Sequence, residues 1–194
     1  FAGEFQPAGR PSTWPGGAAK AMATDETGGL WVLNDTGHLV RLRDGVVLDP
    51  PGGGSTTRPA TLSRERSGKL WVAGNGKAAT LVRGKLVPFG FDDPSGTNFL
   101  ERIVPAQDGG LWVMGGGQLR KWREGRWVVD LGQCPCEAGF VTELLETRSG
   151  KLLVGTVRDG FYLLTPGAEP LHFARTNGLS HDWVRSLCED HEGN

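Results

Sequence analysis

Cys134 and Cys136, separated only by Pro135, are the closest pair of cysteines in the chain. A zinc or iron centre would need two further ligands gathered around them, and no other Cys or His stands near them in sequence. A disulfide across a single residue is geometrically disfavoured. The pair therefore reads as two plain loop thiols, with a redox or metal role as the alternative. The third cysteine, Cys188, alternates with Val184 and Ser186 along one run, which predicts a small buried packing residue. The histidines, at 38, 172, 181 and 191, have no metal-ligand spacing and read as surface residues. Asn34-Asp35-Thr36-Gly37 opens like a calcium loop but lacks the acidic alternation and the closing Glu, so it reads as a hairpin turn. There is no G-x-S-x-G elbow, no Walker loop and no Cys/His pair at catalytic spacing. No catalytic residue, metal ligand or cofactor is assigned.

The elements that would position any site come from repetition. "GGLWV" stands at Gly28–Val32 and again at Gly109–Val113, with "GKLWV" at Gly68–Val72 and "GKLLV" at Gly150–Val154. Trp31, Trp71, Trp112 and Leu153 are spaced by 40, 41 and 41 residues. Gly28, Gly68, Gly109 and Gly150 each stand three places earlier, and Gly193 keeps the same register. A fixed period of about 20–50 residues marks a repeat architecture. Within each unit, four short runs rich in apolar and β-branched residues are separated by Gly- and Asp-containing turns, the pattern of consecutive hairpins. No stretch keeps apolar residues at helical spacing over three turns.

Four strands per unit of about 40–50 residues is the spacing of a β-propeller blade. The expected fold is all-β: blades at 19–49, 60–89, 100–131 and 141–173, with 1–18 ending a preceding blade and 174–194 beginning a following one. In "LWV" the Trp points to one face and Leu and Val to the other, because side chains alternate along a strand. Trp31, Trp71 and Trp112 are accordingly expected between blades, with Leu153 giving a less well-packed interface. The Gly before each strand suits a turn that needs positive φ. Phe1 in place of Met, and a stop at Asn194 within a repeat, lead to the expectation of a piece of a longer ring, with open end faces that favour association.

"DETGGLWVLNDTGHLVRLRDG", "ERSGKLWVAGNG" and, most of all, "TNGLSHDWVRSLCEDHEGN" resemble the repeats of the two-component regulator propeller family. Gly178, Leu179 and Ser180 match that family's repeat entry, and Asp190, Gly193 and Asn194 its later turn. The chain departs from the pattern at Ala106 and Thr147, which stand where Asp25 and Asp190 stand. The resemblance implies a ring of roughly seven blades in the extracytoplasmic, periplasmic sensor half of a bacterial inner-membrane histidine kinase or hybrid regulator, or ahead of a diguanylate cyclase. It implies a small-molecule ligand, an oligosaccharide in some members, and a parent that self-associates as a dimer.

Composition excludes little else. The 21 Lys and Arg against 22 Asp and Glu leave a net charge of −1, so nucleic acid is not an expected partner. No run reaches the roughly 18 apolar residues of a membrane helix, so no membrane contact is expected of this segment. Loops on a rigid scaffold carry function, and the long connections between units hold Asp92, Asp93, His181, Asp182 and Trp183, polar groups and one aromatic suited to a sugar. The first strands would line a central channel with Lys20, Arg64, Glu101, Arg102, Glu143 and Arg185. The leading expectation is a ligand-sensing module that is not itself an enzyme. The rivals are a streptogramin-lyase-like propeller, which would use a metal, a His and a Glu at the channel, and a scaffold for protein partners.

Overall fold

The computed structural model describes residues 16–44, 46–48, 59–65, 67–74, 77–82, 85–91, 100–136 and 141–194. They form four antiparallel four-stranded sheets, each a simple meander. The first blade is β1 (Ala19–Thr24), β2 (Leu30–Asn34), β3 (Leu39–Arg43) and β4 (Val46–Leu48). The second is β5 (Pro59–Arg64), β6 (Leu70–Gly74), β7 (Lys77–Val82) and β8 (Lys85–Phe89). The third is β9 (Leu100–Pro105), β10 (Leu111–Gly115), β11 (Gln118–Arg123) and β12 (Arg126–Gln133). The fourth is β13 (Val141–Glu146), β14 (Leu152–Thr156), β15 (Phe161–Leu164) and β16 (Leu171–Phe173). A single 3-10 turn at Arg175–Asn177 is the helical content of the described residues. The fold is a β-propeller, in which β1, β5, β9 and β13 pack in series as the inner strands.

Three apolar clusters join the blades. Trp31, Leu33 and Leu39 of the first meet Leu62, Leu70 and Val72 of the second. Trp71, Ala73 and Ala78 of the second meet Ile103, Leu111, Val113 and Trp122 of the third. Trp112, Met114 and Leu119 of the third meet Leu144, Leu152, Val154, Tyr162 and Leu164 of the fourth. The period-2 alternation of "LWV" is what sends Trp one way and its flanking Leu and Val the other. All three Trp are buried, whereas Leu153 is half-buried on the far face of its blade.

One turn recurs after every inner strand. The backbone N–H of Asp25 donates to Gly29 O, Glu65 to Lys69, Ala106 to Gly110, Thr147 to Lys151 and Asp190 to Asn194, at 2.8–3.0 Å. The glycine within each turn has φ between 78° and 97°, a region that side chains with a Cβ avoid. The fifth copy places residues 184–189 in the position of another inner strand. Thr142 Oγ1 donates to Val184 O at 2.5 Å, as Ser63 Oγ donates to Ile103 O between the second and third blades. Arg148 N–H donates to the Glu189 carboxylate at 2.8 Å, as Gln107 N–H donates to that of Glu146. The segment is extended but, among the described residues, has no strand of its own blade to pair with.

The first position of the turn decides the fate of the indole six residues later. The Asp25 carboxylate accepts the Trp31 Nε1–H at 3.1 Å, and that of Glu65 accepts the Trp71 Nε1–H at 2.6 Å. In the third blade the position is Ala106, and Trp112 Nε1 is buried without a partner. Register explains how the blade tolerates this. Arg41 lies opposite Trp31 and pairs with Asp25 at 2.6 Å. Lys121 lies opposite Trp112 and pairs instead with Asp108, two residues further along the turn. The acid has moved, keeping its cation and abandoning the indole. An unsatisfied buried donor costs about 1–3 kcal/mol. Combining Ala106→Asp with Asp108→Thr, which rebuilds the arrangement of the first blade, is expected to raise stability by about 1 kcal/mol in urea melts. A loss would mean that Ala106 is held by packing rather than tolerated.

The cysteines differ from expectation. Cys134 and Cys136 are joined in a disulfide with their Cα atoms 5.2 Å apart, inside the usual bonding range. Both are buried in the cluster between the third and fourth blades, so they are not a plain loop pair. Cys134 N–H donates to Gly117 O at 2.7 Å, which pins the turn that brings them together. Cys188 is exposed rather than buried. The reason is a bulge. At the second position of each inner strand, one extra residue (Lys20, Ala60, Glu101 or Thr142) interrupts the ladder. In 184–189 the exposure pattern shifts at the equivalent Arg185, leaving Val184, Leu187 and Glu189 partly covered and Ser186 and Cys188 exposed.

Candidate functional site

The inner strands wall a central cavity of about 690 Å³. Its lining comes from β1 (Lys20, Met22), β5 (Thr61, Ser63), β9 (Arg102, Val104), β13 (Thr142, Glu143) and, beyond the fourth blade, Trp183, Arg185 and Ser186. A bulge re-aims the side chains that follow it. Here it precedes Arg102 and Glu143, which turn into the cavity. Arg102 bridges two blades: Nε and Nη2 donate to Thr142 O at 3.2 and 2.9 Å, and Nη1 donates to Glu101 O at 2.9 Å. Burial lowers its pKa while Glu143 and Glu101 pull the other way, and a guanidinium stays charged throughout the physiological range. Burial raises the pKa of Glu143, against the Leu144 N–H it accepts at 3.2 Å and the charge of Arg102.

The hydroxyls of the wall are committed in one sense. Those of Ser63 and Thr142 donate to carbonyls of the next inner strand. A hydroxyl whose hydrogen is so engaged presents lone pairs to whatever else it meets. In the same lining Trp183 is 46% exposed, with the Arg185 guanidinium carbon 4.1 Å from its ring centroid. The cavity therefore offers an open aromatic face, fixed cations and hydroxyl acceptors.

The candidate residues fall unevenly around it. Asp92 and Asp93 lie outside the described residues. His181 is exposed and accepts Trp183 N–H at Nδ1, 2.9 Å away. Asp182 is structural: its carboxylate accepts Arg175 N–H at 2.7 Å, and its carbonyl accepts Gly160 N–H at 2.8 Å. Of the described loop residues, Trp183 is the one that reaches the cavity. Of the inner-strand residues, Lys20, Arg102, Glu143 and Arg185 line it, but Arg64 is exposed and Glu101 is buried, and neither does. The bulge at Glu101 puts Arg102 in the place that strict alternation would give its neighbour. Ser63, Thr61, Thr142 and Ser186 went unnoticed in the sequence, although each holds an inner-strand position fixed by the repeat. His38 bonds Thr36 and His172 bonds Asp159, both away from the cavity lining.

Solved structures share this architecture. The extracellular domain of the hybrid two-component system BT4673 from B. thetaiotaomicron is similar with a TM-score of 0.69 at 16% identity, over 98% of this chain and 30% of that one. The corresponding domain of BT3049 from B. thetaiotaomicron has a TM-score of 0.58 at 15% identity, over 94% of this chain and 32% of that one. Virginiamycin B lyase from Staphylococcus aureus has a TM-score of 0.60 at 13% identity, over 80% of this chain and 55% of that one. At these identities the likeness establishes the propeller fold. The chain spans a little over half the length of the lyase and about a third of the length of the sensor domains. No protein-family model matches the chain, and no curated protein matches it by sequence. No helix among the described residues is long and apolar enough to cross a membrane.

Proposed function

We propose that the chain is the ligand-sensing, extracytoplasmic propeller module of a bacterial two-component signalling protein, and that its central channel takes a saccharide. The observation that carries this reading is the composition of the cavity wall: an exposed Trp ring beside hydroxyl acceptors and fixed charged donors. Sugars present apolar C–H faces and dense hydroxyls, and such a wall answers both. The likeness to extracellular domains of two-component systems supports the setting. The loops at 92–93 and 181–182 are not needed for it. The lyase reading draws support from the likeness to virginiamycin B lyase, but the described cavity wall offers Glu143 without an imidazole beside it.

Isothermal titration of the chain with a set of oligosaccharides tests the proposal. At least one is expected to bind with a one-site isotherm and to quench tryptophan fluorescence. Trp183→Ala is expected to weaken it roughly three- to tenfold, the worth of one aromatic contact. Absence of binding by every saccharide at millimolar concentration would overturn the reading. Chemical alteration of a bound compound during titration would favour the lyase instead.

A further inference from the structure

The channel has an uneven charge. Among its described lining residues, Lys20, Arg102 and Arg185 are cationic and Glu143 is the acid. The chain as a whole is nearly neutral, so the cations are gathered locally. They also hold comparable positions. Lys20 is the bulge residue of β1, Arg185 stands at the corresponding place in the fifth turn-and-strand copy, and Arg102 directly follows the bulge of β9. The bulge is thus the device that brings positive charge to the channel from several blades.

These cations are held differently. The Arg102 donors are largely engaged by Thr142 O and Glu101 O, which fixes the guanidinium in place as a standing charge. Arg185 is exposed and stacks on Trp183 at 4.1 Å, which orients its fork while leaving its edge free for an acceptor. Lys20 is exposed on the same cavity. Glu143 is the weak counterweight, because burial disfavours its charged form.

Building on the proposed saccharide channel, we infer that its ligand is an acidic glycan, whose carboxylate or sulfate lies against Arg185 and Lys20 while its hydroxyls donate to Ser63 and Thr142. A planar guanidinium meets a carboxylate or sulfate with paired hydrogen bonds, which are about twice as strong as neutral ones. Ser63 and Thr142 have spent their own hydrogens on Ile103 O and Val184 O, so the sugar hydroxyls must donate to them. The Trp183 ring covers the apolar face of the sugar. Charge selects the ligand, and the hydroxyl lone pairs orient it.

The test uses the whole chain and three probes: trigalacturonate, its neutral counterpart galactotriose, and galactose 6-sulfate. An acidic probe is expected to bind at least about tenfold more tightly than galactotriose. A roughly tenfold rise in salt should weaken that probe and leave galactotriose unchanged. Preference between trigalacturonate and galactose 6-sulfate identifies the anion as carboxylate or sulfate. Arg185→Gln is expected to lower the affinity for the acidic probe about tenfold, Arg185→Lys to restore part of it, and Glu143→Gln to tighten it. Circular dichroism of each variant reports that the sheets persist, and both Arg185 and Lys20 are exposed enough to be replaced without loss of core. Equal binding of galactotriose and the acidic probes, with no salt dependence, would overturn the inference and leave the saccharide channel standing. Failure of all three together with every other saccharide would overturn both.

Discussion

Trp112→Ala is expected to lower the unfolding free energy by about 3–5 kcal/mol, whereas Trp183→Ala is expected to cost about 1 kcal/mol or less. Trp112 is 3% exposed and sits at the centre of the cluster joining the third and fourth blades. It shares that cluster with Met114 and the fourth-blade residues Leu144, Leu152 and Val154, and the Lys121 ammonium lies 5.4 Å from its ring centroid. Because its indole N–H has no partner, almost all of its contribution is packing, and Trp112→Phe should recover most of the loss. Trp71→Phe, by contrast, strands the Glu65 carboxylate that accepts its indole at 2.6 Å. It should therefore cost about 1–3 kcal/mol despite the similar change in size. Trp183 is 46% exposed, with a single charged side chain stacked on it. Urea melts analysed by linear extrapolation give all four values. Equal losses for Trp112→Ala and Trp183→Ala would refute the placement of Trp112 as an inter-blade residue.

The contrast between those two tryptophans shows what a repeat makes legible. Trp31, Trp71 and Trp112 recur at a fixed period within an alternating strand, so their faces follow from arithmetic alone. The turn glycines follow in the same way, because only a positive φ explains Gly at each recurrence. The channel was harder to read. Its lining depends on a bulge at Lys20, Ala60, Glu101 and Thr142, residues that share no chemistry. Strict alternation fails beyond that point: it groups Cys188 with Val184 on a covered face, whereas the shift at Arg185 exposes it, and it cannot say which of the neighbours Glu101 and Arg102 lines the channel. The disulfide escaped for a different reason. Residue spacing says little about a turn whose geometry is set by Gly117, far away along the chain and adjacent in space. Asp182 offered a carboxylate to solvent in the sequence, but in the fold two backbone N–H groups, those of Arg175 and Gly160, claim its side chain and its carbonyl. The migration of the acid from position 106 to 108 becomes visible only once register pairs Trp112 with Lys121.

Asp25→Ala is expected to cost about 2–3 kcal/mol at neutral pH, and most of that cost should disappear in acid. The Asp25 carboxylate accepts the N–H groups of Thr27 and Gly29, the Thr27 hydroxyl, the Trp31 indole and the Arg41 guanidinium. Its side chain is 15% exposed. Burial by itself would raise its pKa, but the bonds from Gly29, Thr27 and Arg41 prevail and lower it to about 2. A carboxylate whose folded pKa lies below its unfolded value of 3.8 stabilises the fold fully above the unfolded value. That contribution, about 2 kcal/mol for a shift of this size, is lost as pH falls through the folded pKa. Wild type and Asp25→Ala should therefore differ most at neutral pH and converge between about pH 4 and pH 2. The variant should still fold, because the third blade builds the same turn with alanine at the equivalent position, Ala106 N–H donating to Gly110 O at 3.0 Å. Asp25→Asn should fall between the two, keeping acceptors for the turn but losing the charge that Arg41 needs. The measurement is thermal or urea unfolding of the three proteins across that pH range. A difference between wild type and Asp25→Ala that stays constant with pH would show that the carboxylate acts through shape and neutral hydrogen bonds, and that its charge contributes nothing to holding Trp31 and Arg41 together.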